Sequence, residues 1–151
     1  MATYPTATAL QPTPVTGVNV ETKMVNEVMR KYRVNLADAT VSAATAADDV
    51  KIVPVYAGEA IVRGWVRNVT PSTTASSAFG ISLGTGQTGN LTGAAKTTSA
   101  TAAADTYVAL SGAGVGALQT ADTFVTLCHG TTKALNGIFE VVVFVAEVAP
   151  Q

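Results

Sequence analysis

Three glycines, Gly84, Gly86 and Gly89, have the G-x-G-x-x-G spacing that cradles a pyrophosphate in dinucleotide-binding proteins. Such a site requires the third glycine to open a helix whose N-terminus faces the phosphate. The next residues, Asn90–Ala104, carry no apolar stripe on which that helix could pack. We therefore interpret the glycines as conformational. They accept positive φ and let the chain turn off a strand, Ser77–Leu83, into a loop that projects from one end of the fold and shapes a contact surface.

The other reactive side chains form no catalytic constellation. Cys128 and His129 are neighbours on a predicted strand, so they point to opposite faces and cannot easily act as nucleophile and base. Asp48 and Asp49 are also adjacent, and we interpret them as a solvated pair at the start of a strand. The single cysteine excludes an intrachain disulfide, and the single histidine limits any histidine-based metal site. We expect no enzyme activity, no cofactor and no metal.

An arginine–tryptophan stripe is the remaining candidate for ligand chemistry. In the predicted strand Ala60–Val69, the alternation places Arg63, Trp65 and Arg67 on one face together with Ile61. Arginines beside a tryptophan could stack on a base or a sugar ring. They more often cover the aromatic ring with their stems, or form a subunit contact, and we favour that second interpretation.

The segments that must position these residues form strands. Runs of alternating or β-branched residues, separated by Gly, Pro, Ser and Thr, predict six to eight of them. Pro54 lies inside one run and indicates an edge strand or a bulge. The predicted strands are Glu27–Leu36, Asp48–Tyr56, Ala60–Val69, Ser77–Leu83, Asp105–Leu110, Ala121–His129 and Gly137–Val148. The last is apolar on both faces and is expected at the centre of a sheet.

The connections complete this prediction. Ala57–Glu59 is short and contains glycine, which predicts a hairpin between the strands on either side of it. A short strand around Thr40–Ala43 is expected in the weak segment Ala37–Ala47. No segment has a helical period of 3.6 residues. The expected fold is therefore all-β, a single jelly-roll-like β-sandwich with an extended N-terminal arm.

Residues 1–26 are predicted to be that arm, and residues 27–151 the sandwich domain. Prolines among Thr and Ala favour an extended chain with little to bury. Two interpretations stay open, a disordered tail and an arm that orders against a neighbouring subunit. The candidate interface residues combine the arm with the arginine–tryptophan stripe: Tyr4, Pro12, Pro14, Val15, Met24, Val25, Arg63, Trp65 and Arg67.

The composition of the chain limits the kinds of partner that it is expected to bind. Charged residues make up 13% of the chain, against about 25% in typical soluble domains. So few charges indicate either extensive contact with other protein or a β-protein with a hydroxyl-rich surface. The net charge is −1 and the cations are scattered, so we expect no nucleic-acid binding. No secretory signal and no apolar run of about 20 residues is visible, so we expect a protein made inside the cell that does not enter a membrane.

The stretch Val50–Val148 resembles proteins of a known kind. A predicted hairpin ending in VRNVTP is followed by FGISLGTGQTGNL, a Thr/Ala segment, a short strand and a final strand with the pattern G-x-x-x-VVV-x-V. This layout resembles small β-sandwich structural proteins of tailed bacteriophages, above all head-decoration (cement) proteins. The resemblance implies a virion protein made in the host cytoplasm and often trimeric. It would sit on the capsid surface where capsomers meet and bridge major capsid subunits.

Two other functions are compatible with the same sequence. Related sandwich modules occur in phage tails and fibres, so a tail, neck or fibre component is the first alternative. A carbohydrate-binding sandwich that uses Trp65 and tyrosines is the second and the less expected one. An enzyme is the least expected class.

Overall fold

Strands form where the sequence alternates apolar and polar residues or runs through β-branched ones, because such side chains suit a pleated, half-buried surface. A computed structural model describes residues 24–86, 88–93, 96 and 98–148. Within these residues it contains one short helix, α1 (Ala39–Ala43), and eight strands. The strands are β1 (Met24–Asn35), β2 (Val50–Val55), β3 (Glu59–Thr70), β4 (Ala78–Leu83), β5 (Thr98–Ser99), β6 (Tyr107–Ala109), β7 (Thr123–His129) and β8 (Ile138–Val148).

The strands form two antiparallel four-stranded sheets. Sheet A has the order β1-β8-β3-β6, and sheet B has the order β2-β7-β4-β5. β1 pairs with β8, β2 with β7, β3 with β6, and β4 with β5. This is the pairing of one long hairpin rolled into two sheets, which is the jelly roll. The predicted all-β jelly-roll sandwich is confirmed.

The core lies between the two sheets. β8 runs between β1 and β3, as its apolar composition predicts, and sends Phe139, Val141 and Val143 into the core. The Phe139 ring stacks on Phe79 of β4 at 4.3 Å between centroids. Such a pair contributes about 0.5–1.5 kcal/mol beyond the burial of its area. Ile81, also on β4, is fully buried beside it.

A β-bulge corrects one predicted face. In β3, Ile61 pairs with Val145 but Arg63 pairs with Phe144, so Val62 is an extra residue in the ladder. Ile61 therefore points into the core and is fully buried, whereas Arg63 points outward. The prediction that Ile61 shares a face with the arginines was wrong, because strict alternation fails at a bulge.

β2 confirms what Pro54 predicts. The strand lies at the edge of sheet B, and its register shifts between Lys51 and Val53. Proline is tolerated in an edge strand because its missing amide can face away from the neighbouring strand, so no hydrogen bond of the sheet is lost.

The predicted hairpin between β2 and β3 was wrong, because the two strands belong to different sheets. The turn crosses from sheet B to sheet A and is held by groups outside the two strands. Gly58 adopts a φ of +89° and its amide donates to the Gln119 carbonyl at 2.8 Å. The Glu59 carboxylate accepts from the Tyr56 amide at 2.7 Å. A short glycine turn specifies a reversal, but it does not specify which strands pair afterwards.

The short strand predicted around Thr40–Ala43 was also wrong, because this segment is α1. Asp38 caps the helix by accepting a hydrogen bond from the Thr40 amide at 2.9 Å. Acidic N-caps stabilise a helix by about 0.5–2 kcal/mol relative to alanine. Val41 is buried against the core. No helix in the described part of the chain is long and apolar enough to cross a membrane.

Residues 1–23 lie outside the described residues, and with them the candidate positions Tyr4, Pro12, Pro14 and Val15. β1 starts at Met24, three residues before the predicted start of the first strand. The division into an arm (1–26) and a domain (27–151) stays a prediction.

Candidate interaction surfaces

The glycine stretch after β4 has the conformational role that the sequence predicts. Gly84, Gly86 and Gly89 have φ values of +82°, +102° and +62°. Only glycine adopts such angles without steric cost. The amide of Gly86 donates to the Asp49 carboxylate at 3.0 Å, and that of Gly89 donates to the Ser82 hydroxyl at 2.8 Å. These two amides are therefore already occupied and cannot cradle a phosphate.

The loop after these glycines folds back along β4 instead of projecting from the fold. The Asn90 side chain accepts from the Leu83 amide at 2.6 Å and donates to the Leu83 carbonyl at 3.2 Å. The Leu91 amide donates to the Ile81 carbonyl at 3.1 Å, and the Leu91 side chain is fully buried. The loop thus completes the edge of sheet B beyond the two residues of β5. The prediction of a projecting contact loop was wrong.

Part of the outer face of sheet B is covered by connections of the same chain. The Lys96 ammonium reaches the Ala46 carbonyl at 2.5 Å, across from the loop before β2. The Thr126 hydroxyl donates to the Gly84 carbonyl at 2.7 Å. Gly80 on this face has no room for a Cβ, because it would meet the Lys96 amide at 2.7 Å. Connections of the chain therefore cover the part of this face around Gly80 and Thr126.

Cys128 and His129 lie on opposite faces of β7, as predicted. The Cys128 thiol contacts the Gly80 carbonyl at 3.4 Å, and burial raises its pKa, which makes it a poor nucleophile. His129 Nε2 lies 2.9 Å from the Val41 carbonyl of α1, and burial lowers the pKa of the imidazole. Among the described residues no group of three His, Cys, Asp or Glu side chains could hold a metal ion.

The outer face of sheet A differs from that of sheet B, because large side chains on it are exposed to solvent. Phe144 of β8 lies between Met29 of β1 and Arg63 of β3 in the strand register. The Arg63 guanidinium sits 4.0 Å from the centroid of the Phe144 ring, and the Trp65 ring packs on Phe144 at 5.6 Å. An arginine does cover an aromatic ring here, but the ring is Phe144 and not Trp65.

The next rows of this face carry a charge cluster. Glu140 of β8 receives the Lys31 ammonium at 2.5 Å and Arg67 Nη1 at 3.0 Å. Arg67 Nη2 also contacts the Asp105 carboxylate at 2.6 Å. The Lys31 ammonium holds the pKa of Glu140 below its usual value, against the opposing effect of burial. The Glu140 side chain is only 8% exposed. It therefore orients two cations on this face.

The composition of this face matches protein–protein interfaces. Met29 and Tyr107 are each 57% exposed, beside Trp65 and Phe144. Methionine, aromatic residues and arginine are the residue types enriched in such interfaces. The strand register places four cations (Lys31, Arg33, Arg63 and Arg67) and two carboxylates (Glu27 and Glu140) outward. A third carboxylate, Asp105, joins them through its ion pair with Arg67. Among the described residues Arg33 forms no ion pair, so one cation stays available.

A second feature is a cleft at the open side of the sandwich, between the edge strands β1 and β2. The cavity has a volume of about 360 Å³. Its apolar lining comes from Tyr32, Val34, Val41, Val50 and Ile52. Tyr32 is half exposed at its mouth.

The predicted interface residues are only partly brought together. Arg63, Trp65 and Arg67 share the outer face of sheet A. Met24 and Val25 pair through their backbones with Val148 and Glu147 at the start of β1. The sequence interpretation missed the other contributors to this face, Met29, Tyr107, Glu140 and Phe144. The alternation of β8 marks the last two as outward, but nothing in the sequence says which strands flank them.

Comparisons with known proteins identify a shared fold. A chain in the capsid asymmetric unit of cyanophage Pam1 superposes with a TM-score of 0.59 at 14% sequence identity, covering 91% of this chain and 94% of that one. A chain in the capsid of Ralstonia phage GP4 gives a TM-score of 0.57 at 14% identity, covering 95% and 96%. No family model and no curated protein sequence matches.

Proposed function

We propose that this protein is a structural component of a bacteriophage head, a decoration (cement) protein that binds major capsid subunits and stabilises the particle. The observation that carries this proposal is the open outer face of sheet A, on a fold that recurs in chains of two phage capsids. The local sequence resemblance between Val50 and Val148 supports the same function independently of that face.

The outer face of sheet A is the surface that contacts the capsid in this proposal. The apolar anchors of this contact are Met29, Trp65, Tyr107 and Phe144. The surrounding arginines fix the orientation of the partner on this face. The face is held by ion pairs and ring contacts within the sheet, so little ordering is required on binding. The protein acts as a homo-oligomer on the capsid surface, with a trimer favoured, because repeated modest contacts then add through avidity.

The proposed role requires no chemistry from the chain. Cys128 and His129 are buried on opposite faces of one strand. The glycine amides that resemble a phosphate cradle are bonded to Asp49 and Ser82. A structural, non-enzymatic protein is the class that fits these observations.

Two variants of the proposed contact surface test the function. Met29→Asp and Tyr107→Asp each place a carboxylate on the open face, and Leu135→Asp is a matched control at an equally exposed apolar residue in the turn before β8. Binding is measured by co-sedimentation with capsids of the encoding phage that lack this protein. Loss of a central anchor weakens an interface by about 2 kcal/mol or more, which is roughly thirtyfold.

We expect both face variants to bind at least this much more weakly and the Leu135 variant to bind like the wild type. Circular dichroism confirms that all three stay folded. If the wild type does not bind capsids, or if all variants bind equally, the proposal is wrong. Labelling of the tail alone, seen by electron microscopy of labelled protein, would instead identify a tail, neck or fibre component.

A further inference from the structure

The outer edge of β1 is the longest sheet edge with which no other strand pairs in the described part of the chain. The edge strands β5 and β6 have two and three residues, and β2 carries a bulge and Pro54. β1 has twelve residues, and its pairing with β8 shows no register shift from Glu27 to Asn35. Every second residue of β1 therefore directs its amide and carbonyl away from the sheet. A long regular edge of this kind can pair with another strand.

Two apolar side chains beside this edge are open to solvent. Val28 and Tyr32 pair with Val145 and Val141, which are both buried in the core, so their side chains point to the core side of sheet A. Nevertheless Val28 is 51% exposed and Tyr32 is 50% exposed. Arg30 lies between them on the same side of the strand. A strand added to this edge would cover both apolar side chains.

The sequence of β1 is complementary to itself about Arg30. If two copies of β1 pair antiparallel with Arg30 opposite Arg30, the residue two positions before it lies opposite the residue two positions after it. Val28 then meets Tyr32 of the second copy, and Glu27 meets Arg33, and each pair occurs twice. Pairs of an aromatic with a β-branched residue and pairs of opposite charge both stabilise antiparallel sheets.

The charged residues at this edge are placed for such a contact. Arg33 is exposed and forms no ion pair among the described residues. The Glu27 side chain is 38% exposed and accepts from Arg63 through its Oε2 atom. A carboxylate has lone pairs on two oxygens, so Glu27 can hold Arg63 of its own chain and Arg33 of a second copy together.

The two Arg30 side chains do not oppose the pairing at its axis. Each Arg30 guanidinium is bound by the Glu59 carboxylate at 2.6 Å and donates to the Pro54 carbonyl at 2.8 Å, so its charge is compensated within its own sandwich. Moving the axis to either neighbouring residue would instead place Arg30 opposite Val28 or Tyr32. The apolar pairs would then be lost, so the pattern selects one register.

We infer that two copies of this chain pair through the free edges of β1, antiparallel about a two-fold axis at Arg30, and join their A sheets into one continuous sheet. Val28 and Tyr32 cover each other across the contact, and Glu27 and Arg33 form two ion pairs. The contact is isologous, so two copies close it. It uses the edge of sheet A and not its outer face, so it can link copies that also associate through other surfaces. The inference does not depend on the proposed function, since it concerns the purified protein.

Cysteine cross-linking of the purified full chain tests the register. In the double variant Val28→Cys/Tyr32→Cys, each new cysteine lies opposite one of the second copy, with Cβ atoms about 5 Å apart, close enough for a disulfide. Positions four residues apart along a strand are about 13 Å apart, which is too far for a disulfide. The double variant therefore forms no bond within one chain, and either single variant is a matched control. The native Cys128 is fully buried.

We expect the double variant to form disulfide-linked dimers, seen by non-reducing electrophoresis, at least about tenfold faster than either single variant. A single variant that reacts as fast as the double variant would show another register or random collision, and would overturn the inference. No cross-linking of the double variant would show that a second copy does not occupy this edge, whatever else covers it.

A charge exchange tests the ion pairs independently. Arg33→Glu places a carboxylate opposite Glu27 of the second copy and should weaken self-association about tenfold or more, measured by sedimentation equilibrium. Combining it with Glu27→Arg restores opposite charges and should recover most of the loss. Asp105→Arg, beside the opposite edge strand β6, is the control and should change nothing.

Circular dichroism confirms that these variants stay folded. A combined variant that associates no better than Arg33→Glu, or a wild type that stays monomeric, would refute the pairing. No capsid is present in any of these measurements, so failure here is distinct from failure of the proposed function.

Discussion

Replacing Glu140 by glutamine tests whether the charge cluster on sheet A is organised around one carboxylate. Glu140 sits in the central strand and is only 8% exposed, with Lys31 and Arg67 on the strands to either side. Glutamine has nearly the same volume but no charge, and its amide nitrogen cannot accept from either cation. The substitution therefore leaves two cations facing each other across an uncharged side chain.

The size of the effect follows from the exposure of the three partners. Breaking a fully buried ion pair costs about 3–5 kcal/mol, and exposed pairs contribute about 0.2–1 kcal/mol. The Lys31 and Arg67 side chains keep 50% and 35% of their exposure, so water compensates much of their loss. We expect Glu140→Gln to lower the free energy of unfolding by about 2 kcal/mol, between these two limits.

Urea unfolding at several pH values provides the assay. The folded state holds the pKa of Glu140 below its ordinary value of 4.5, mainly through Lys31. The carboxylate therefore stabilises the fold fully above that value, and this contribution is lost as the pH falls through the lowered pKa. The wild type and Glu140→Gln should differ most near neutral pH and converge in acid, where the protonated carboxyl resembles the amide.

Glu27→Gln is the matched control, because it removes a carboxylate from the same face. Glu27 pairs with Arg63 at 2.8 Å, but the two side chains are 38% and 60% exposed. Its loss should cost less than about 0.5 kcal/mol. If Glu140→Gln is as stable as the wild type at neutral pH, or if both variants lose the same stability, Glu140 does not organise this face.

Three further changes have direct structural consequences that urea unfolding can measure. Burial lowers the pKa of His129, the only histidine, below 6.5. The wild type should therefore lose stability as the pH falls below that value, and His129→Gln should remove this slope while losing part of the contact with Val41. Gly112→Ala would place a Cβ 2.0 Å from the Asn90 carbonyl oxygen and should destabilise by about 1–3 kcal/mol or more. Phe79→Ala should cost about 3–5 kcal/mol, because it removes half of the stacked pair in the core.

The sequence predicts the strands correctly where burial alone determines which positions are apolar. β8 is β-branched or aromatic at most positions because it has a strand on each side and the core beneath it, and that pattern can be read without knowledge of its neighbours. Periodicity fails where the ladder has an extra residue. Val62 shifts β3 by one position, and a shift of one reverses every later side chain. No composition signal marks that residue as a bulge.

The sequence alone predicts the outward residues of β3, but not the complete outer face of sheet A. Arg63, Trp65 and Arg67 follow from the alternation of β3 alone. Glu140 and Phe144 are 73 and 79 positions further along than Arg67 and Trp65, and only the register of β8 against β3 brings them together. Non-local pairing of this kind is fixed by the packing of the whole sandwich, and a single sequence carries no local record of it.

The two outer faces of the sandwich differ in what packs on them. Loops of the chain cover part of the outer face of sheet B. The glycine stretch after β4 bends one loop back onto the sheet. The glycine spacing that resembles a phosphate cradle is therefore explained by the positive φ angles of this turn and not by a bound ligand. The outward side chains of sheet A order each other through Phe144 and Glu140. A partner that docks on sheet A meets a surface that is already formed, so contact there need not disturb the core beneath.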